Sequence, residues 1–339
     1  MAKLEPVRLG IVGLRYGSTV CEGLAGHPVR LLRVCDLDPE KAQAASARFG
    51  VPAAPSLEAM LEDPELEAIG LYTPPAGRAE LVRRVIRAGK HVMTTKPFEL
   101  DAAAAREVLE EAARLGRVVH LNSPNPRPYG EMAPISEWLA AGEIGRPVLA
   151  QASTWVSYHE QPDGGWYDDR RRCPLAPIFR IGIYPLNSLL AIFPEPETVQ
   201  VAWSRVQTAR PTPDHASLTI SFAGGGIANI VASFAVGGPD RYRNTMTIAG
   251  TQGVIYYAIG PRTRDGVPLP NLVLSAEGRS EWRTVTSHAG EYDWEFFARR
   301  VRGRAAADVT TPRQVVTGIR VVEAMAQAEE TGQPTPVQP

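Results

Sequence analysis

The regular alternation of short apolar stretches with helical segments in the first part of the chain most constrains its fold. Apolar stretches at residues 7–12, 31–35, 68–72, 91–94 and 118–122 are separated by segments with the spacing of amphipathic helices. Strands that alternate with helices of about 10–15 residues are typical of βαβ units, in which the strands pair in parallel. The first 122 residues are therefore predicted to form a doubly wound parallel sheet in the α/β class.

After Asn122 the pattern changes. A proline-rich connector leads to one helix near residues 132–141, and from Val148 onward β-branched and aromatic residues alternate with polar ones between glycine-containing turns. This pattern predicts a large, mostly antiparallel open sheet, followed by helices at 293–301 and 313–331. Because single cores stop growing at roughly 250–300 residues, we expect two domains, 1–122 and 123–339, and a disordered tail after Gln333.

Composition excludes several function classes. The net charge of −1 provides no basic surface for nucleic acid, and no apolar run approaches the roughly 20 residues of a membrane span. The first residues show no signal-peptide pattern, so a cytoplasmic location without membrane partners is expected. Cys21, Cys35 and Cys173 are far apart, which favours neither disulfides nor a metal site.

A glycine-containing turn follows the first predicted strand. Dinucleotide sites use glycines where the chain turns tightly, where the backbone approaches the pyrophosphate and where the helix packs on the strand. Two alignments remain open: the middle glycine is deleted, leaving Gly13 and Gly17, or Arg15 replaces it and Ser18 stands third. The predicted cofactor-binding residues of this turn are Gly13, Leu14, Arg15, Tyr16 and Gly17.

Polar or turn-forming residues end three further strands of this part of the chain. Asp36 ends the second strand 19 residues after Gly17, where a carboxylate would accept hydrogen bonds from the adenosine ribose. No basic residue directly follows Asp36, so NAD is favoured over NADP as the cofactor. Thr73, Pro74 and Pro75 end the third strand and Asn122 ends the fifth, at the edge where such sheets bind ligands.

Seven motifs follow one another along nearly the whole chain: VRLGIVGLRYG, CDLDPEKAQAASARFGVPA, IGLYTPPAGRAE, AGKHVMTTKP, GEIGRPV, RIGIYPLN and AGTQGVIYY. In this order they resemble the family named for glucose-fructose oxidoreductase, inositol dehydrogenase and MocA. The resemblance implies an NAD(P)-binding Rossmann domain and a second domain whose large sheet mediates homodimers or homotetramers. It also implies nicotinamide-linked oxidation or reduction of a small-molecule substrate, namely a sugar, a cyclitol or a related hydroxylated compound.

Two family motifs carry catalytic residues onto this sequence. The family's Glu-Lys-Pro matches Thr95-Lys96-Pro97, which makes Lys96 the active-site lysine and leaves its acidic neighbour replaced by threonine. The family's Asp-x-Gly-x-His/Tyr matches residues 180–184, with Arg180 in place of the aspartate and Tyr184 at the end. Tyr184 is expected to act as acid and base and Lys96 to orient the reacting hydroxyl, because a nearby ammonium favours phenolate.

Arg180 is the strongest departure from the family pattern. Its planar fork of donors suits a carboxylate, which predicts an acidic substrate such as a uronate; the alternative is a salt bridge with Asp168 or Asp169. The altered positions also leave two other functions open. One is a regulatory protein that binds the cofactor without turnover, and the other is a lyase or hydrolase that uses NAD transiently.

Overall fold

The computed structural model describes residues 4–125, 127–128, 130–158, 160–237, 242–259, 263–264, 267–287, 290–304 and 312–339. The chain divides into two compact units, Met1–Pro126 with Glu291–Arg313, and Arg127–Gly290 with Gln314–Pro339. The second domain expected from the sequence contained every residue after 122, whereas Glu291–Arg313 groups with the first unit. The physical reason is that Trp294 and Phe297 belong to the first unit's hydrophobic core.

The strands in chain order are β1 (Val7–Val12), β2 (Val29–Cys35), β3 (Ala68–Leu71), β4 (His91–Thr94), β5 (Val119–Leu121), β6 (Pro147–Val156), β7 (Pro196–Ser204), β8 (His215–Phe222), β9 (Gly226–Ser233), β10 (Tyr242–Gly250), β11 (Gly253–Ile259), β12 (Thr263–Arg264), β13 (Val267–Pro268), β14 (Leu272–Ala276), β15 (Arg279–Arg283) and β16 (Thr335–Pro336). The helices are α1 (Leu14–Glu22), α2 (Pro39–Phe49), α3 (Leu57–Glu62), α4 (Arg78–Arg87), α5 (Ala102–Arg114), α6 (Met132–Ala140), α7 (Ile183–Leu190), α8 (Trp294–Val301) and α9 (Pro312–Thr331).

The first unit is built on a parallel sheet. Among the described residues its five strands lie in the order β2-β1-β3-β4-β5, and every neighbouring pair is parallel. Strand β3 is buried along its whole length, which is typical of a parallel sheet with both faces covered. The predicted doubly wound parallel sheet is confirmed.

Local capping residues set the ends of these helices. Asp38 accepts the N–H of Glu40 at 3.0 Å and begins α2, which ends at Gly50 in the left-handed region at φ +66°. Asp101 and Asp293 cap α5 and α8 in the same way, each accepting an N–H at 2.9 Å. These short-range contacts determine where α2, α5 and α8 begin and where α2 ends.

The second unit is built on a mixed sheet. In the described part of the chain nine strands lie in the order β15-β14-β11-β10-β6-β9-β8-β7-β16, and all pairs are antiparallel except β6 with β9. The predicted large, mostly antiparallel sheet is confirmed. The predicted disorder after Gln333 is wrong, because Thr335 pairs with Val199 at the sheet edge and Val337 is buried.

The two faces of this sheet differ. One face packs on α7 and the short π-helical turn Ile178–Gly182 that precedes it. The other, which we call the open face, carries large apolar side chains that are 38% (Trp155) to 62% (Trp282) exposed. Its members are Leu149, Trp155, Ile227, Tyr256 and Trp282. Among the described helices, none combines the length and the apolar character that crossing a membrane requires.

Candidate active site

The predicted cofactor residues lie where the parallel strands of the first unit end. Gly13 follows β1, Asp36 follows β2, Thr73 comes two residues after β3, Lys96 comes two residues after β4, and Asn122 follows β5. Because parallel strands present their carboxyl ends at one edge, these residues share the edge at which such sheets bind ligands.

Two glycines shape the turn after β1. Gly13 has φ +88°, and a Cβ there would lie 2.8 Å from both the carbonyl carbon and the carbonyl oxygen of Tyr72. A Cβ on Gly17 would lie 2.8 Å from Cγ2 of Ile11, so α1 packs closely on β1. Both positions therefore require glycine, which favours the alignment that keeps Gly13 and Gly17.

Asp36 joins β2 to the start of α1. Its Oδ2 accepts the Leu14 N–H at 2.6 Å and its Oδ1 accepts the Asp38 N–H at 2.9 Å. A cation also lies near this carboxylate: Lys41 forms an ion pair with Asp38 at 3.0 Å, and the hydrogen bond that Lys41 donates to Asp38 raises the pKa of Lys41. Arg15 is exposed on the first turn of α1.

The hydroxyl groups after β3 bear on whether a dinucleotide fits here. Within the described residues, the buried Oγ1 of Thr73 and the buried hydroxyl of Tyr72 have no hydrogen-bond partner. Tyr72 packs edge-on against Tyr16 and Tyr292, with ring centroids 6.0 and 5.7 Å apart, and burial raises its pKa. Orphaned donors beside a backbone position that only glycine can occupy fit a bound dinucleotide.

Arg78 is a residue that the sequence analysis missed. Its side chain is 1% exposed, and its guanidinium donates to the carbonyls of Thr73, Thr95 (2.7 Å) and Pro97. Burial lowers the pKa of Arg78 to about 10. Arg78 therefore ties the loop after β3 to the loop that carries Lys96. A signal was available, because a cation at the first position of a helix opposes the helix dipole and needs another reason to be there.

The backbone of Lys96 is fixed by the neighbouring strand. Its N–H donates to Oδ1 of Asn122 at 2.9 Å, and Asn122 is buried. Thr95, which replaces the family's glutamate, is buried and donates its hydroxyl to the Lys96 carbonyl at 3.3 Å. Asn122 is also one of the predicted cofactor-binding residues. Of the remaining predicted residues, Pro74 is exposed and Pro75 buried.

The second unit holds Arg180 and Tyr184 on consecutive helical turns. Arg180 lies in the π-helical turn and Tyr184 in the first turn of α7. A Cβ on Gly290 would lie 2.7 Å from the Tyr184 hydroxyl, and Gly290 has φ +87°. Glycine at this position therefore leaves room for the half-buried tyrosine ring.

Arg180 binds a carboxylate of this chain. Its Nη1 and Nη2 donate to the two carboxylate oxygens of Glu160 at 2.6 and 2.8 Å. Burial alone would lower the pKa of Arg180, but the hydrogen bonds that Arg180 donates to Glu160, together with the charge of that carboxylate, outweigh burial and raise the pKa. Asp168, the partner considered from sequence, instead binds Arg210 at 2.5 Å. Glu160 lies 20 residues away on an irregular segment, and no sequence pattern links it to Arg180.

The comparisons with known proteins agree with this geometry. Residues 7–123 match the model of an oxidoreductase family with an NAD-binding Rossmann fold, and residues 132–256 match the GFO/IDH/MocA C-terminal domain. The chain is 25% identical to a dTDP-3,4-didehydro-2,6-dideoxy-α-D-glucose 3-reductase from Saccharopolyspora spinosa over 97% of this chain and 99% of that protein. It is 26% identical to a 1,5-anhydro-D-fructose reductase from Ensifer adhaerens over 82% of this chain and 84% of the relative.

A solved structure shares the fold. Levoglucosan dehydrogenase in complex with NADH and L-sorbose superposes with a TM-score of 0.77 at 16% identity, over 99% of this chain and all of the other. The two family models confirm the sequence-based predictions of family and of oxidoreductase class. The two family models match in the expected order, and the fold has the two expected sheets. This chain therefore belongs to the GFO/IDH/MocA family of NAD-binding oxidoreductases.

Proposed function

We propose that this chain is an NAD-dependent dehydrogenase or reductase that interconverts a secondary alcohol and a ketone on a sugar, a cyclitol or a related hydroxylated compound. The observation that carries the proposal is the set of residues after β1 to β5, where Gly13, Asp36 and Lys96 follow strands that end at one edge of the sheet. The names of the two reductase relatives support a sugar-type substrate.

Residues of the first unit fit the cofactor. The turn from Gly13 to Gly17 would approach the pyrophosphate, Asp36 would accept hydrogen bonds from the ribose hydroxyls, and the orphaned Thr73 hydroxyl would gain a partner. When bound, the nicotinamide cofactor supplies or accepts the hydride. A 2′-phosphate beside Asp36 would be repelled, so NAD is proposed over NADP.

Lys96 and Tyr184 are the proposed catalytic residues. The Lys96 ammonium donates a hydrogen bond that orients the reacting hydroxyl, and its backbone is held by Asn122. Tyr184 takes or returns the hydroxyl proton. Arg180, proposed from sequence to bind the substrate, has its donors engaged by Glu160 and is proposed instead to position that carboxylate.

The test combines binding and turnover. NADH binding is measured by fluorescence, and turnover is followed by NADH absorbance over a panel of sugars and cyclitols offered in both oxidation states. We expect NADH binding and substrate-dependent change in absorbance. NADH binding without turnover of any panel member would favour a regulatory protein, and product formation without net change in NADH would favour a lyase or hydrolase.

Assembly and location complete the proposal. We propose that the open face pairs copies of this chain into a homodimer or homotetramer, since its apolar side chains are exposed in one copy. The chain is further proposed to work in the cytoplasm, with small molecules rather than nucleic acid or membranes as its partners.

A further inference from the structure

Leu175 has an unusual backbone conformation just before the turn that carries Arg180. Among the described residues other than glycine, it is the only one in the left-handed region, with φ +41°. A β-carbon makes this region unfavourable, so a residue such as leucine keeps the conformation only where the surrounding contacts impose it. The contacts of Leu175 therefore show what fixes this corner of the second unit.

A carboxylate from the last helix of the chain holds the Leu175 backbone. Oε2 of Glu329, near the end of α9, accepts the Leu175 N–H at 2.6 Å. Oε1 of Glu329 accepts hydrogen bonds from Nε and Nη2 of Arg170 at 3.2 and 3.0 Å. The Glu329 side chain is 4% exposed, whereas that of Arg170 is 42% exposed. Both carboxylate oxygens are therefore engaged, and the bond to Leu175 is the buried one.

The burial of Glu329 is itself unfavourable. Burial raises the pKa of this carboxyl group, and the Leu175 N–H and the charge of Arg170 only partly oppose the rise. A carboxylate away from water is stable only where hydrogen bonds and charges replace its hydration. The fold therefore keeps an unfavourable carboxylate at the place where it bonds to an unfavourable backbone conformation.

The carbonyl of Leu175 begins the turn that leads to Tyr184. It accepts the N–H of Ile178 at 2.9 Å and that of Phe179 at 3.2 Å, the first two residues of the π-helical turn. Helix α7 follows directly, with Tyr184 in its first turn. Leu175, Ile178 and Phe179 are fully buried. Because close-packed interiors leave no free space, a shift of the corner is transmitted along the turn to α7.

We propose that Glu329 is a positioning residue for Tyr184: its carboxylate holds Leu175 in the left-handed conformation and thereby sets the start of the turn that places the Tyr184 phenol. The inference rests on the proposed function, in which Tyr184 takes or returns the hydroxyl proton, and deepens it by assigning a residue that acts through the backbone. Loss of the carboxylate should then affect the chemical step. Leu175→Gly should compensate for that loss, because glycine adopts the left-handed region without steric cost.

The experiment combines two variants in a cycle. Glu329→Met removes both acceptor oxygens and keeps most of the volume, and it is made alone and together with Leu175→Gly. Leu175→Gly alone completes the cycle, so the effect of losing the leucine side chain cancels. Glu329→Gln keeps one acceptor oxygen without the charge. Glu195→Met is the matched control, because Glu195 binds Arg320 of the same helix at 2.6 Å in a different place.

Turnover is measured with NAD and a panel of glucose, galactose and myo-inositol. We expect Glu329→Met to lower kcat about tenfold or more, while the Kd of NADH changes less than about twofold because the proposed cofactor residues lie in the first unit. In the Leu175→Gly background the same substitution should lower kcat by no more than about twofold. Glu329→Gln should fall between wild type and Glu329→Met, and Glu195→Met should match the wild type.

The position of Tyr184 can also be observed without turnover. Fluorotyrosine in place of Tyr184 gives a fluorine NMR resonance that depends on the surroundings of the phenol. Glu329→Met should shift or split this resonance, Leu175→Gly should largely remove that change, and Glu195→Met should leave the resonance as in the wild type. If NADH binds but no panel member is turned over, the proposed function fails, and the resonance still decides the role of Glu329.

Two results would overturn the inference. One is a Tyr184 resonance that is the same in wild type and Glu329→Met. The other is a Glu329→Met effect, on the resonance or on kcat, that is equally large with and without Leu175→Gly. If Glu329→Met alone does not fold, as judged by circular dichroism, the resonance of Glu329→Gln with and without Leu175→Gly decides by the same two criteria.

Discussion

At the scale of single residues, the buried guanidinium of Arg78 in the first unit donates hydrogen bonds to carbonyl oxygens of two different loops. One loop follows β3 and contains Thr73, and the other follows β4 and contains Lys96. Since Arg78 acts through the backbone of these loops, it is a positioning residue. Its effect on turnover should pass through the placement of Lys96 and of the cofactor.

Replacing Arg78 with methionine removes these bonds and leaves buried carbonyls without partners. We expect the free energy of unfolding to fall by about 2–3 kcal/mol in urea titrations. Arg78→Lys keeps the charge but not the fork, so it should recover less than half of the stability. Turnover is tested by chemical rescue: added guanidinium at millimolar concentration should raise the kcat of a folded Arg78→Met protein. Unchanged stability in both variants would contradict this role.

Lys96 provides the most direct test of catalysis. Lys96→Met should lower kcat by about 10²- to 10⁴-fold, the range typical of a positioned proton-transfer group, with unchanged circular dichroism. Lys96→Arg should not restore turnover, because guanidinium is planar and remains charged. Near-native turnover in Lys96→Arg would show that Lys96 contributes only its positive charge, which would contradict the proposed role. Lys41→Met, at a surface pair with Asp38, is the control.

Asp36 sets the expected cofactor choice. We expect NADH to bind at least about tenfold more tightly than NADPH, roughly 1.4 kcal/mol, in fluorescence titrations. Asp36→Ser should narrow the difference between the NADH and NADPH affinities, because the carboxylate that repels the 2′-phosphate is gone. The serine hydroxyl remains to accept the Leu14 N–H. Equal or tighter NADPH binding in the wild type would mean that Arg15 or Lys41 governs the adenosine pocket.

At the scale of elements, a helix or strand could be predicted from the sequence when the residues that determine it lie close together in the chain. Caps act within a few residues, so the helix starts at Asp38 and Asp293 and the helix end at Gly50 depend only on nearby residues. Strand β16 depends on pairing with β7, more than 130 residues away in the chain, and was missed. The same limit applies to the candidate site: motifs predicted Lys96 and Asp36, whereas the hydrogen bonds of Lys96 with Asn122 and of Arg180 with Glu160 join residues 26 and 20 positions apart and follow from no local pattern.

His91 links two strands of the parallel sheet and predicts a pH dependence. Its Nδ1 accepts the N–H of Val118, which precedes β5, at 3.0 Å. Burial and, to a lesser extent, the charge of Arg117 lower the pKa of His91 from 6.5 to about 4. Between these values the unfolded chain binds more protons than the folded one, so the stability contribution present above pH 6.5 is lost as the pH falls toward 4.

Urea unfolding of the wild type should therefore show a free energy of unfolding that declines from about pH 6.5 to about pH 4. In His91→Gln this part of the pH dependence should be smaller, because the titrating group is gone. His27 is exposed, so His27→Gln should keep the wild-type slope. Identical slopes in all three proteins would assign the pH dependence to other groups.

At the scale of the whole molecule, the open face predicts the oligomeric state. Trp282→Arg places a charge among the exposed apolar side chains of this face, and we expect light scattering to show a shift toward monomer at micromolar concentration. Trp203 is similarly exposed but packs under the guanidinium of Arg170, 4.6 Å from its ring centroid. Trp203→Arg should leave the mass unchanged. A monomeric wild type would rule out the proposed assembly.

The return of Glu291–Arg313 to the first unit has a consequence for how the protein is made. Trp294, Phe297 and Ala298 share one hydrophobic core with Val7 and Leu9, although nearly the whole second unit lies between them in the chain. When only residues 1–126 have emerged from the ribosome, the core of the first unit therefore still lacks these side chains. The core of the first unit is complete only after helix α8 has been synthesised, which in chain order comes after the sheet strands β6 to β15 of the second unit.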